Sequence, residues 1–230
     1  MLNITYHGHS SVQLGTEEKS LIIDPFLRGN ELAVNKPDDI KTDVVLLTHA
    51  HMDHILDAEP IAKANDAKVV AIVELATYMS WKGLDTIGMN MGGTVDLDFA
   101  KAKMIQAFHT SGIVLEEEQR IMYAGLPAGF IIDIGGKTVL HAGDTSLFGD
   151  MKMIGDRHKI DVAFLPIGGH YTMGPEDALQ AAEWFNAKLT IPVHYDTFPA
   201  IRQDAERFVQ QLAARGLEGR VMAPGDSISL

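Results

Sequence analysis

Apolar residues along this chain fall into short runs broken by polar or glycine-rich stretches, a pattern that alternates between strands and amphipathic helices. Asp43-Val44-Val45-Leu46-Leu47 reads as a buried strand, because a brief, continuous apolar run has both of its faces covered. Met104-Ile105-Gln106-Ala107-Phe108, Lys137-Thr138-Val139-Leu140 and Leu189-Thr190-Ile191-Pro192-Val193 read the same way. The segment from Ile131 to Leu140 predicts a hairpin, with Gly135-Gly136 supplying the turn. Pro175-Glu176-Asp177 suits a helix start, since proline fixes φ in the first turn and acids complement the helix dipole. Leu179, Ala182 and Phe185 follow at helical spacing, with Trp184 widening the stripe. Ile201, Phe208 and Leu212 predict a second amphipathic stripe ending near Gly216. Gly29-Asn30, Gly92-Gly93 and Gly135-Gly136 mark turns, and residues 84–95 and 111–128 read as loops. No long linker, repeat or low-complexity segment interrupts this order. The pattern predicts one α/β-type domain with a mixed sheet, residues 1–230.

Composition adds boundaries. With 230 residues, 46% of them hydrophobic, the chain can bury a substantial core without dividing into two domains. No stretch approaches the ~20 apolar residues of a membrane span, so no membrane partner is expected. The start, Met1-Leu2-Asn3-Ile4-Thr5-Tyr6, lacks a basic region followed by an apolar one, which predicts a cytoplasmic protein. The absence of cysteine excludes disulfides and thiolate metal ligands together. A net charge of −12, with no dense Lys/Arg run, argues against nucleic acid as a partner. Glu116-Glu117-Glu118 reads as a solvated loop.

The chemistry concentrates in Thr48-His49-Ala50-His51-Met52-Asp53-His54, at the end of the first strand described above. Three of the ten histidines fall within six residues, beside a carboxylate, and neutral imidazole with carboxylate is a good donor set for zinc and its neighbours. His49 and His51 are two apart, so extended backbone would point both the same way. His109, Asp144 and His194 each follow a strand-like run of their own. Polar residues delivered to strand ends from distant parts of a chain are how a fold assembles a site that no single segment makes.

The order His-x-His-x-Asp-His, then a lone His109, then Gly143-Asp144-Thr145, then a late His194 resembles the metallo-β-lactamase superfamily of metal-dependent hydrolases, over nearly the whole chain. Tyr6-His7-Gly8-His9-Ser10, Leu21-Ile22-Ile23-Asp24-Pro25-Phe26 and the segment Phe164–Met173 resemble its branch containing ascorbate-6-phosphate lactonase, and a compact bacterial group of metal-dependent hydrolases. The resemblance implies an α+β fold, a four-layer αββα sandwich with metals at one edge between two mixed sheets. It implies His49, His51 and His109 on one metal, Asp53, His54 and His194 on a second, and Asp144 bridging them. Where some β-lactamases use a cysteine, Asp53 and His54 would fill the pocket. Ligand softness favours zinc, and Mn, Fe or Ni could fill the same donor set.

His9, in its Gly-His-Ser turn, and His170, after Gly168-Gly169, are expected to face the cleft and touch substrate or leaving group. Asp24 either hydrogen-bonds a ligand histidine, as the resemblance implies, or merely ends a strand. His141 either orients a ligand or is a plain strand residue; His7 has no assigned role, and His158 reads as surface.

Two divalent ions acidify a bridging water enough to give hydroxide near neutral pH. The expectation is therefore direct hydrolysis of an ester, lactone, amide or phosphoester in a small metabolite, with Asp53 coordinating and relaying a proton. No Gly-x-Ser-x-Gly elbow and no cysteine offers a covalent route. A phosphodiesterase or nuclease with the same metals would call for a basic channel. A non-catalytic metal-dependent binding protein would be betrayed by a lost ligand. A homo-oligomer is compatible with the sequence and not specified by it.

Overall fold

A computed structural model describes all 230 residues. The first sheet contains β1 (Asn3–Gly8), β2 (Ser11–Gly15), β3 (Ser20–Ile23), β4 (Val44–Leu46), β5 (Lys68–Ile72), β6 (Thr86–Met89) and, returning from the C-terminus, β15 (Ser227–Ser229). Its order is β15-β1-β2-β3-β4-β5-β6, antiparallel up to β3 and parallel from β3 to β6. The second sheet contains β7 (Thr94–Asp96), β8 (Ala100–Gln106), β11 (Ala128–Ile134), β12 (Lys137–His141), β13 (Val162–Pro166) and β14 (Leu189–Val193), in the order β14-β13-β12-β11-β8-β7. Strands β12, β13 and β14 are parallel; β8 is antiparallel to β11, and β11 to β12. A ribbon of β9 (Gly112–Leu115) and β10 (Arg120–Tyr123) stands apart from both sheets.

Six helices complete the chain: α1 (Met52–Ile55), α2 (Ala58–Asn65), α3 (Val73–Trp81), α4 (Asp150–Arg157), α5 (Pro175–Phe185) and α6 (Ala205–Ala214). Strand alternation assigns the layers. In the second sheet Phe130, Ile132, Val139, Val162, Phe164 and Ile191 join the core shared with the first sheet. Their neighbours Ile131, Leu140, Ala163 and Leu165 point the other way and pack under Leu179, Ala182, Phe185, Phe208 and Leu212 of α5 and α6. Helices α2 and α3 pack against β4, β5 and β6 on the outside of the first sheet. Strands β3 to β5 are therefore covered on both faces, which is why their sequences are apolar runs and not alternating ones. The layers are α, β, β, α. No helix is long and apolar enough to cross a membrane.

The hairpin at Gly135-Gly136 forms as the sequence predicts, with both glycines at positive φ, as a two-residue turn of that hand requires. Pro192 sits on β14, the edge strand, where a missing N–H costs the ladder least. Three expectations need correcting. Ile201 is buried but belongs to a separate 3₁₀ turn, Pro199–Ile201; α6 starts after Asp204, whose side chain accepts the Arg207 N–H and caps it. Residues 84–95 are no simple loop: they hold β6 and the start of β7, and Met89 is buried in the core. Residues 111–128 hold the β9–β10 ribbon, with Glu116–Glu118 in its solvated turn.

Candidate metal centre

The C-terminal ends of β3, β4, β8, β12 and β14 deliver the chemistry-bearing residues to one edge of the sandwich. Two backbone hydrogen bonds tie the sheets together there: Ala128 N–H to Thr48 O at 2.9 Å, and His194 N–H to His9 O at 2.8 Å. Gly143 allows the close approach. A Cβ at this position, with φ +64°, would lie 2.3 Å from Ala128 O and 3.1 Å from Thr48 Cβ, so any side chain would push Asp144 away from the edge.

His49, His51 and His109 converge. His49 Nε2 lies 3.0 Å from His51 Nδ1, and His109 Nε2 lies 3.3 Å from the same atom. Nitrogens around a tetrahedral zinc, each about 2.0–2.1 Å from it, sit about 3.3–3.4 Å apart, so this spacing suits a cation between them. Asp53, His54 and His194 form the neighbouring group together with His9. Residues Asp53 and His54 are consecutive in α1, where successive side chains diverge by about 100°. His54 therefore turns inward and is fully buried, while the Asp53 side chain remains 26% exposed. Asp144 Oδ2 lies between the groups, 2.9 Å from His194 Nε2, 3.3 Å from His54 Nε2, 3.6 Å from His109 Nε2 and 3.9 Å from His49 Nε2.

Several of these atoms are buried without a hydrogen-bond partner: His54 Nε2, both ring nitrogens of His194, and Asp144 Oδ1. An orphaned buried polar atom is expensive, and a shared cation would satisfy all of those facing the cluster. The donor set fits divalent ions.

Asp24 explains how two imidazoles are aimed. Its carboxylate accepts Thr48 N–H (2.8 Å), Thr48 Oγ1–H (2.6 Å) and His54 Nδ1–H (2.8 Å). Because the Thr48 hydroxyl donates to Asp24, it accepts from His49 Nδ1–H at 3.0 Å. Both histidines thus commit Nδ1 as a donor to these acceptors and leave Nε2 as the nitrogen turned toward Asp144. Although Asp24 lies within ligand distance of His49 and His54, its oxygens are occupied by these donors. It orients His54 directly and His49 through Thr48.

Electrostatics follows from the enclosure. Burial lowers the His49, His51 and His109 pKa values. Burial works against charge at His54 and His194 too, but Asp144 outweighs it: His54 is raised well above its usual value and His194 to about 9. Burial alone would raise the Asp53 carboxyl; the His54 charge, His194 and the His9 hydrogen bond instead hold it well below the carboxylate range. Asp144 is likewise held low against its burial by His194 and His54. The pair of carboxylates draws positive charge to this spot.

His9 is buried, with Nε2–H donated to Asp53 Oδ2 and Nδ1 against Thr197 Oγ1, each at 3.0 Å. Burial first, then the His194 charge, pushes its pKa down to about 4. Its ring nitrogens are taken by protein groups, so the expected substrate contact becomes a contact that holds Asp53. His170 is not drawn into the cluster; it is exposed and meets Tyr171 edge-on, in the loop whose Met173 N–H binds Thr145 O. His141 donates Nε2–H to Ser10 O at 2.9 Å and accepts Gly143 N–H at 3.2 Å, so it ties the Asp144 loop to the β1–β2 turn. His7 is engaged by Asn35 and Gln13, outside the cluster. His158 is half-buried at the end of α4.

The sequence reading missed Thr48, Thr197 and Asp57. Thr48 stands next to the motif and was open to detection; Thr197 and Asp57 carry no local signal. Asp57 is fully buried and accepts Leu27 N–H (2.6 Å), Arg28 N–H (3.0 Å) and the Arg28 guanidinium, fixing the chain beyond Asp24.

Two facing mixed sheets, helices outside them and a His/Asp cluster at their shared edge define a metallo-β-lactamase fold. The chain belongs to the β-lactamase superfamily: residues 3–194 match the Beta-lactamase superfamily domain. It is 55% identical over 229 residues to a UPF0173 metal-dependent hydrolase of Geobacillus thermodenitrificans, and 53% identical over 229 residues to the UPF0173 metal-dependent hydrolase YtkL of Bacillus subtilis; each match covers 100% of both chains. Igni18, a metallo hydrolase from the hyperthermophilic archaeon Ignicoccus hospitalis, superposes with a TM-score of 0.89 at 38% identity, over 99% of this chain and 97% of that one. The protein is a metal-dependent hydrolase of this superfamily.

Proposed function

We propose that this hydrolase works with two divalent ions, zinc by ligand preference, and cleaves an ester, lactone, amide or phosphoester bond in a small metabolite. His49, His51 and His109 would hold one ion, Asp53, His54 and His194 the other, with Asp144 shared. The observation that carries this reading is Asp144 Oδ2, within 2.9–3.9 Å of imidazole nitrogens from both sets. Ions held there would supply an acidified water and polarise the bond under attack. The chain's own residues orient and shuttle. Asp24 and Thr48 hold the Nε2 atoms of His54 and His49 toward Asp144. His9 fixes Asp53, and Asp53, the more open of the two carboxylates, is the group able to pass a proton between cleft and solvent. His170 is assigned a contact with substrate or leaving group from its loop beside Thr145.

Metal analysis of the untagged protein by mass spectrometry tests the reading. Close to two equivalents of Zn, Mn or Fe is expected. No bound metal, and no uptake on dialysis against those ions, would overturn it.

A further inference from the structure

Beside His51 and His109 opens a cleft of 620 Å³, walled on its far side by the β9–β10 ribbon and the segment after it. Its apolar wall is Val114, Ile121, Tyr123 and Leu126, which are 52%, 73%, 64% and 55% exposed. Four large apolar side chains left in water around one concavity, next to a reactive centre, are the signature of a surface awaiting an apolar group. The polar groups in the cleft are neutral apart from the histidines: Thr110, whose hydroxyl lies 3.3 Å from His51 Nε2, and Ser111, which accepts the Ala50 N–H. No Lys, Arg, Asp or Glu lines it. The charge just behind it is negative, since the Glu74 carboxylate lies against Gly125.

From this lining we propose that the substrate is an uncharged acyl compound, an ester or lactone, whose apolar chain lies on Val114, Ile121, Tyr123 and Leu126 while its carbonyl faces the His51/His109 side of the cluster. The proposal rests on the hydrolase reading above and narrows it. An anionic group at the far end of the chain, against the β9–β10 wall, would meet no Lys or Arg there and would lose its hydration uncompensated.

The test uses the metal-loaded protein and 4-nitrophenyl esters from acetate to hexanoate, with the mono-4-nitrophenyl ester of adipate as an anionic control of equal chain length. Full burial of a methylene corresponds to about a fourfold gain, so a half-open wall should raise kcat/KM by about twofold per methylene. The adipate monoester should fall at least about tenfold below the hexanoate. Ile121→Asp combined with Leu126→Asp, at exposed positions where folding tolerates polarity, should abolish the chain-length dependence. A flat series, an unchanged slope in the double variant, or preference for the adipate ester would overturn the proposal.

Calorimetric binding of butyl 4-nitrophenyl ether, which has no cleavable ester, separates the two readings. Binding to wild type and not to the double variant, without turnover of any ester, would keep the cleft assignment and sink hydrolysis. Ester turnover without ether binding would do the reverse. A dimer that the double variant dissociates, with the chain-length slope intact, would make the wall a self-association surface and overturn the proposal.

Discussion

His54 and His194 are closed off from solvent, and two carboxylates, Asp53 and Asp144, face them within 4 Å; His51 and His109 are partly open, and of the two only His109 has a carboxylate within 4 Å, Asp144, with an uncharged cleft beyond. The two halves divide the work that an enclosed cationic site has to do. Charge is concentrated where water cannot screen it, and the facing imidazoles hold Asp53 and Asp144 ionised despite burial. The half that meets the cleft is nearly neutral and leaves room for a third party. The backing differs too. His54 is fixed by Asp24 and His49 by Thr48, whereas His51 leans only on the exposed Thr110 hydroxyl. Backbone strain follows the same division: His9, Asp24 and His194 all adopt positive φ on the enclosed side, a conformation costing non-glycine residues about 1–3 kcal/mol each.

The largest effect should come from the atom the halves share. Asp144→Ala should lose metal from both sides and reduce hydrolysis below detection while circular dichroism stays unchanged; retention of both metals with full activity would break the ligand assignment. Next, a pair of variants separates the halves. His54→Ala and His109→Ala should each lose one metal equivalent and keep the other, with the loss at His54 the more severe. Equal behaviour in metal titrations would show that the two halves do not differ in this way.

A smaller effect sharpens the role of backing. Asp24→Asn removes the acceptor that fixes the His54 and, through Thr48, the His49 tautomer, and should weaken metal binding about 10- to 100-fold in chelator competition. The corresponding Thr110→Val change, on the open side, should stay within about threefold, because a long hydrogen bond at a partly exposed site contributes little.

The smallest effect concerns His141, which sits behind both halves. Burial lowers its pKa, so the unfolded chain takes up this proton first as pH drops below about 6.5. The contribution to stability is full above that value and is lost as pH falls toward the folded-state pKa. In chelator, the wild-type denaturation midpoint should therefore fall more steeply than that of His141→Asn between pH 7 and 5. Parallel curves would show that His141 does not titrate in this range.

Much of the fold was legible because buried strands leave largely apolar runs, as in Val44–Leu46 and Leu189–Val193, and because Gly135-Gly136 admits few conformations. Seven candidate metal ligands were legible because each follows a strand, and strand ends in this architecture share one edge. Ile201 misled because helical spacing in sequence does not require a continuous helix; Phe198 and Pro199 start a separate turn instead. His9 and His170 looked alike in sequence, both beside glycine in a polar turn. His9 is buried because the His194 N–H binds its carbonyl and Asp53 its ring, while His170 meets only Tyr171.

The sequence by itself determined the alternation of elements and the candidate donors, since apolar periodicity and the pairing of imidazole with carboxylate are local facts. Only the tertiary structure decided which nitrogen His49 and His54 turn toward Asp144, how near Asp144 stands to both groups of histidines, and that the cleft beside His51 and His109 is apolar and uncharged. Those properties depend on contacts between residues far apart in the chain, such as Asp24 with His54 and His9 with Asp53, and on how much water each contact excludes.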